Sequence, residues 1–280
     1  MRIDLHTHSS VSDGTETPAE LVRAAARAGL DVVALTDHDT TAGWARASEA
    51  AGVEGVRLVP GMEVSCGHQG VSVHLLSYLH DPAAPGLLEE VVRARESRLT
   101  RAEAMVDLLS YDVDLTWDDV LRHVADGATV GRPHIADALV SLGIVADREE
   151  AFSGLLSSRG PYYVRHYAPR PVEVVRLVRE AGGVPVMAHP LAHRRGTVVD
   201  DETIVQLADA GLVGLEVWHR DNDDAAREHL LGLARELDLL VTGASDYHGT
   251  GKPNLLGENT TDPDVFARIE SMATGAEVVG

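Results

Sequence analysis

The stretch Asp31-Val32-Val33-Ala34-Leu35-Thr36 restricts the fold more than any other part of the chain. A short, nearly continuous apolar run is the mark of a strand buried on both faces, which occurs in parallel sheets covered by helices. The run ends in Asp37-His38-Asp39, and a helix-start signature precedes it: Thr17 caps, Pro18 takes the first helical position and Glu20 closes a capping box. Leu21, Ala25 and Ala28 share one face of that helix, and Gly29 ends it. With Met1 to His8 as an earlier strand, this is a βαβ unit. In that first strand Ile3, Leu5 and Thr7 face one way, and Asp4, His6 and His8 the other. Two imidazoles then stand side by side at the strand's C-terminal end as a pair of metal-ligand arms. A lone His-x-His is ordinary coincidence, so its meaning depends on its company.

The rhythm continues. Thr41 to Ala51 predicts a helix, Val56 to Val64 contains a strand ending near Glu63, and Val71 to Tyr78 is a strand with His74 on the face opposite Val73 and Leu75. From about Asp81 to about Pro161 the chain reads as helices without a clear strand: Leu87 to Leu109, a segment started by Thr116-Trp117-Asp118-Asp119, Pro133 to Leu142, and Glu149 to Leu156. This predicts an all-helical insertion over 81–161, acting as a substrate cap on a barrel formed by 1–80 and 162–280. Alternation then resumes with a helix over Pro171 to Ala181 and a strand over Gly183 to Ala188 that ends in His189-Pro190. A helix over Asp201 to Ala210 leads to a strand over Gly214 to Trp218 beside His219. A helix over Asp223 to Leu237 leads to a strand over Leu239 to Gly243, followed by Asp246-Tyr247-His248. Seven strand candidates, with polar residues gathered at their C-terminal ends, predict an α/β fold of the β/α TIM-like barrel kind, whose site lies at that face.

Composition narrows the function. Hydrophobic residues at 44% and charged residues at 24% suit a soluble globular chain, while aromatics at 4% leave Val, Leu and Ala to fill the core. A net charge of −20 argues against duplex DNA or an anionic membrane as a partner, but permits a phosphorylated substrate where cations receive it. Cys66 is the only cysteine, a small packed residue, so no intrachain disulfide can form and a reducing compartment is expected. The start lacks the basic segment and apolar run of a signal peptide, and no apolar stretch is long enough to span a bilayer. The expectation is a cytoplasmic protein without an obligate protein partner.

Collected together, the residues at strand ends are His6, His8, Asp13, Asp37, His38, Glu63, His74, His189, Asp246 and His248. None is Cys, which argues against a structural zinc site of the finger type. Mixed imidazole and carboxylate suits Zn, Mn or Fe, and the set exceeds what one ion needs, with Glu63 able to bridge two. The chemistry implied is metal-assisted hydrolysis, in which a hydroxide held between metals attacks and the metals stabilise the developing charge. Phosphate fits well, because its transition state spreads negative charge over oxygens.

His6-Thr7-His8, Thr36-Asp37-His38, Gly61-Met62-Glu63, His74 and Ser245-Asp246-Tyr247-His248 occur in the order of the motifs of the PHP (polymerase and histidinol phosphatase) family, which the chain resembles from end to end. The resemblance implies a distorted seven-stranded β/α barrel with a trinuclear metal site. The helical insertion and Gly131-Arg132-Pro133-His134-Ile135-Ala136 resemble one subgroup, phosphoesterases acting on nucleoside 3′,5′-bisphosphates, some of which trim RNA from the 5′ end. Carried over, it implies one metal held by His6, His8, Glu63 and Asp246, a second by Glu63, His74 and His134, and a third by Asp13, His38 and His248. Asp37 would orient an imidazole from behind the ligands. His134 comes from the resemblance alone, since it begins a predicted helix rather than ending a strand.

Outside that set, His189 is the candidate to bind the scissile phosphate or protonate the leaving alkoxide. Arg132 is the candidate to grip a substrate phosphate, weighed evenly against a salt bridge with an acidic neighbour. Arg159, Arg165 and His166 could meet a second phosphate on the return from the insertion. Glu216 and His219 read as structural, and His68, His80, His123, His193 and His229 as ordinary surface or satisfied histidines. Gly61 and Gly249 allow the backbone to turn beside ligand-bearing stretches. The expected activity is a metal-dependent phosphoesterase acting on a nucleoside 3′,5′-bisphosphate or a short 5′-phosphorylated oligonucleotide. The alternatives are a small-metabolite phosphatase, for histidinol phosphate or a nucleoside monophosphate, and a polymerase-associated proofreading or regulatory module.

Overall fold

The computed structural model describes residues 1–125 and 127–280. Seven strands form one sheet in chain order: β1 (Ile3–Asp4), β2 (Val32–Leu35), β3 (Arg57–His68), β4 (Val71–Tyr78), β5 (Val184–Met187), β6 (Gly214–Trp218) and β7 (Leu240–Gly243). All neighbours run parallel except at β4, which pairs antiparallel with both β3 and β5. That reversal distorts the β/α barrel. β3 also runs past the expected end, so Glu63 lies mid-strand in a hairpin, opposite Leu76, and His74 lies opposite Ser65. β1 is shorter than the sequence suggests, with Thr7 joined to Tyr247 only by an isolated bridge. The sheet nearly closes between β7 and β1 through the backbone bond His8 N to Tyr247 O (2.8 Å) and through the buried Asp4 carboxylate, which accepts from Ser245 N (3.0 Å) and Gly257 N (2.8 Å).

The helices are α1 (Pro18–Arg27), α2 (Trp44–Glu54), α3 (Pro85–Leu109), α4 (Trp117–Leu121), α5 (Arg132–Ser141), α6 (Arg148–Ser153), α7 (Pro171–Glu180), α8 (Asp201–Ala210), α9 (Asp224–Glu236) and α10 (Pro263–Met272). The Thr17–Glu20 and Thr116–Asp119 capping boxes both form, because each side chain satisfies a backbone N–H that a helix start leaves unpaired. α10 has no counterpart in the sequence reading, although Asp262 caps it and Pro263 opens it. None of the described helices is long and apolar enough to cross a membrane.

Two apolar layers position the site. The inner one takes Ile3, Val32, Ala34, Val59, Leu76, Tyr78, Val184, Val186 and Leu240 from every strand except β6, with Phe266 and Ile269 of α10. The outer one sets Val64, Val73, Leu75, Leu215 and Val217 against α7, α8 and α9. Alternation therefore turns Glu63, Ser65, His74 and Glu216 to the inner face. α3 serves two bodies: Leu87 and Val91 pack on the barrel layer, while Met105, Val106 and Leu109 join Val120, Ile135, Leu139 and Leu156 in a separate helical cluster.

His80, read as an ordinary histidine, is buried at the end of β4 with Nδ1 at 2.8 Å from Ser77 Oγ and its ring 5.0 Å from that of Trp44. Burial pushes its pKa from 6.5 down to about 4. The neutral ring is the folded form, so its contribution is complete above pH 6.5 and is lost as pH falls towards 4. The loss amounts to about 3 kcal/mol. Urea midpoints of the wild type should therefore fall more steeply than those of His80→Gln across this window; parallel curves would contradict the assignment.

Candidate metal centre

One buried carboxylate organises the open end of the barrel. Glu63 Oε2 lies 3.1 Å from His6 Nε2, 3.0 Å from His8 Nε2 and 3.2 Å from His38 Nδ1. Glu63 Oε1 lies 2.7 Å from His74 Nδ1 and 3.2 Å from His189 Nε2. Five imidazoles thus share two oxygens. Ligand atoms converge in three groups: His6, His8, Glu63 and Asp246; His38, Glu63 and His74; and His8, Asp13, His38 and His248.

The donor set fits divalent cations. His6 Nδ1 lies 2.9 Å from the Glu216 carboxylate, and His248 Nδ1 lies 2.8 Å from the Asp246 carbonyl. A carbonyl or carboxylate accepts only, so in the neutral rings each Nδ1 carries the proton and each Nε2 presents a bare lone pair. Those lone pairs face carboxylates: His6 Nε2 faces Glu63 and Asp246, and His248 Nε2 lies 3.2 Å from Asp13 Oδ1. His6 Nε2 and His8 Nε2 are themselves only 3.0 Å apart. Lone pairs and anions aimed at common points repel unless positive charge lies between them. Imidazoles backed by a carboxylate or a carbonyl are the usual arrangement behind metal ligands.

The electrostatics agree. Burial by itself would raise the Asp13, Glu63 and Asp246 carboxyls, but nearby imidazoles, with Lys252 and Arg195 at Asp246, hold all three well below the usual carboxylate range. Burial opposes charge on His8, yet Asp246, Glu63 and Asp13 raise it to about 9, so the pocket favours positive charge. Burial and Arg195 push His189 down to about 3, and burial with Lys252 pushes His248 to about 4.

Several sequence candidates take other positions. His134 is absent from the group containing Glu63 and His74, where His38 stands; its Nδ1 accepts from Gly131 N–H at 3.1 Å. Asp37 makes no hydrogen bond to an imidazole among the described residues. It accepts from Ser9 N (2.8 Å), Ser9 Oγ (2.7 Å) and Ser12 Oγ (2.8 Å), and burial raises its carboxyl to about 6. Glu216 is more than structural filling: besides His6 it accepts from His189 N at 2.8 Å, while burial opposes and His6 overcomes to hold it at about 2. A single carboxylate between Leu215 and Val217 in an apolar strand was the signal for it. His219 is buried 3.6 Å from Asp246 Oδ2, and Arg195 donates to that same oxygen at 2.6 Å. Gly249 lies in the left-handed region at φ 66°, where a Cβ would strike Thr15 Oγ1; at Gly61 the constraint is close approach to Thr36 instead of a turn.

Beside this centre stands a group of guanidiniums from the helical segment. Arg98 donates to Ser65 Oγ and lies 3.2 Å from Asp39 Oδ2. Arg101 is buried, with Nη1 3.1 Å from His166 Nδ1 and with Nε unpartnered among the described residues. Burial pushes Arg101 down to about 9, with Arg98 and Arg132 adding to the shift. Arg132 forms no salt bridge among the described residues; it donates to Leu156 O at 3.2 Å and lies over the Phe152 and Tyr163 rings. Arg159 and Arg165 are exposed, and their side chains make no hydrogen bond or ion pair among the described residues. Of this group, Arg132 and His166 stand out in the sequence, whereas Arg98 and Arg101 do not.

Comparison with known proteins agrees with this geometry. The family model described as PHP domain matches residues 4–123. A 3′,5′-nucleoside bisphosphate phosphatase of Chromobacterium violaceum is 35% identical over 253 residues, covering 89% of this chain and 88% of the relative. A 5′-3′ exoribonuclease of Haemophilus influenzae is 32% identical over 248 residues, covering 88% and 90%. A Bifidobacterium adolescentis crystal structure, provisionally described as a metal-dependent phosphoesterase, superposes with a TM-score of 0.95 at 45% identity, covering 97% of this chain and 96% of that one.

Proposed function

Since the chain belongs to the PHP domain family of metal-dependent phosphoesterases, we propose that it hydrolyses phosphate from nucleoside 3′,5′-bisphosphates and short 5′-phosphorylated oligonucleotides. The observation that carries this reading is Arg101, a buried guanidinium with no carboxylate partner among the described residues, beside Arg98, Arg132 and His166. A buried charge without a counter-ion is costly, and a second substrate phosphate would supply one. The guanidinium group is also near enough to the metal ligands for it. Arg98 holds Ser65, which lies two residues from Glu63 on the same face of β3, about 7 Å along the strand. One phosphate can then lie at the metal centre while the other meets the guanidiniums.

In this reading His6, His8, Glu63 and Asp246 would hold one cation; Glu63 with His74 and His189, whose ring nitrogens both face its Oε1, would hold a second; and Asp13, His38 and His248 would hold a third. Bound there, divalent cations would supply the Lewis acidity that activates water and neutralises charge on the phosphoryl oxygens. Glu216 would keep the His6 ring oriented, with the proton of the neutral ring on Nδ1 and Nε2 turned towards the cation. His189, held neutral and aimed at Glu63, is better placed as a lone-pair donor than as an imidazolium acid. The helical segment carries the phosphate grip over the barrel mouth.

The test measures phosphate release with Mn²⁺, with and without chelator, from adenosine 3′,5′-bisphosphate, AMP, histidinol phosphate and a short 5′-phosphorylated RNA. Chelator-sensitive release from the bisphosphate well above AMP is expected. Preference for AMP or histidinol phosphate would leave the metal chemistry standing and sink the two-phosphate reading.

A further inference from the structure

The two loops that carry Asp13 and His248 bond to each other through Thr15, whose N–H donates to His248 O at 3.1 Å, and both also touch one side chain of the helical segment. Arg148, on α6, places Nε and Nη2 each 2.6 Å from the Asp137 carboxylate of α5, in a two-pronged pair. Its remaining nitrogen, Nη1, donates to the Asp13 carbonyl at 3.2 Å. The loop after His248 packs on the same guanidinium: a Cβ on Gly251 would lie 2.5 Å from Nη1, so only glycine fits there without a shift. The Arg148 and Asp137 side chains are mostly covered, at 17% and 27% exposure. A second tie from the helical segment, Thr129 N to Val11 O at 3.0 Å, reaches the loop two residues before Asp13.

The ligand groups differ in how they are supported. Glu63 and His74 stand on strands β3 and β4, and His6 is backed by Glu216 of β6. Asp13 and His248 stand on loops, and their mutual distance of 3.2 Å depends on what holds those loops together. We propose that Arg148 is the positioning residue for the cation at Asp13, His38 and His248, clamping both loops so that their ligand atoms converge. This rests on the three-cation reading above. It also makes that one position dependent on the folding of the helical segment, because Arg148 is oriented by Asp137 rather than by the barrel.

The experiment is equilibrium dialysis of the full chain against graded Mn²⁺ with elemental analysis, on the wild type, Arg148→Met and Asp137→Asn. The wild type should retain three Mn²⁺ per chain. Arg148→Met should keep two at wild-type affinity and bind the third about tenfold or more weakly, the usual cost of losing a group that supports a ligand. Three ions at unchanged affinity in Arg148→Met overturn the clamp. Parallel weakening of every ion together with a fall in Tm marks a general fold defect and also overturns it. Fewer than three ions on the wild type refute the three-cation reading itself, and the clamp with it. Should Arg148→Met fail to fold by far-UV circular dichroism, Asp137→Asn carries the same expectation, since it keeps the shape but removes the charge and turns one of the two acceptors of the pair into a donor.

Discussion

Glu63→Gln should reduce metal-dependent phosphate release by more than about a thousandfold, beyond the usual range for losing one charge-stabilising group. The substitution conserves volume, so the hairpin register of Glu63 with Leu76 should survive. What changes is the chemistry of both oxygens. One becomes an amide nitrogen with two donors and no lone pair, facing imidazole nitrogens 2.7 to 3.2 Å away. The negative charge shared by both halves of the cluster disappears as well, so cation retention should fall with turnover. The check pairs an initial-rate assay with elemental analysis of the same samples and a melting curve. A variant that keeps full metal content and more than about a tenth of its turnover would show that Glu63 does not bridge the centre.

The second large effect should separate substrate recognition from catalysis. Arg101→Met should lower kcat/KM for adenosine 3′,5′-bisphosphate by about ten- to a hundredfold, the equivalent of one charge-assisted hydrogen bond. Turnover of a nucleoside monophosphate, which has no second phosphate to place there, should change by less than about threefold. Stability gives an independent readout. Arg101 is 6% exposed, lies beside Arg98 and Arg132, and is pushed down to about 9, chiefly by burial. Replacing a buried, uncompensated cation by an apolar side chain of similar length is neutral or stabilising, so Tm should hold or rise. A fall in Tm of several degrees with equal loss on both substrates would make Arg101 a packing residue.

These two residues also differ in how far the sequence exposes them. Glu63 is legible: it lies in an apolar run whose period of two has only two faces, and it accompanies other His and Asp residues near strand ends. The same logic picks out His6, His8, His38, His74, Asp246 and His248, all of which converge. Arg101 is not legible. It lies in the 25-residue α3, rich in Arg and Glu, where the choice of inward face depends on how α4, α5 and α6 pack. Arg159 and Arg165 look equally suitable in the sequence, yet they point to solvent.

The sequence by itself determined most of the elements and the ligand types, though not α10. Capping boxes at Thr17 and Thr116, apolar runs such as Val32–Leu35, and the order of the His, Asp and Glu motifs depend on neighbours a few residues apart, so local chemistry suffices. Only the tertiary structure decided that β4 runs antiparallel, that Glu216 backs His6 across 210 residues, and that Arg148 of α6 holds the Asp13 loop. Each of these is a contact between segments far apart in the chain. Its geometry is set by how whole layers pack, and no local period or spacing carries that information.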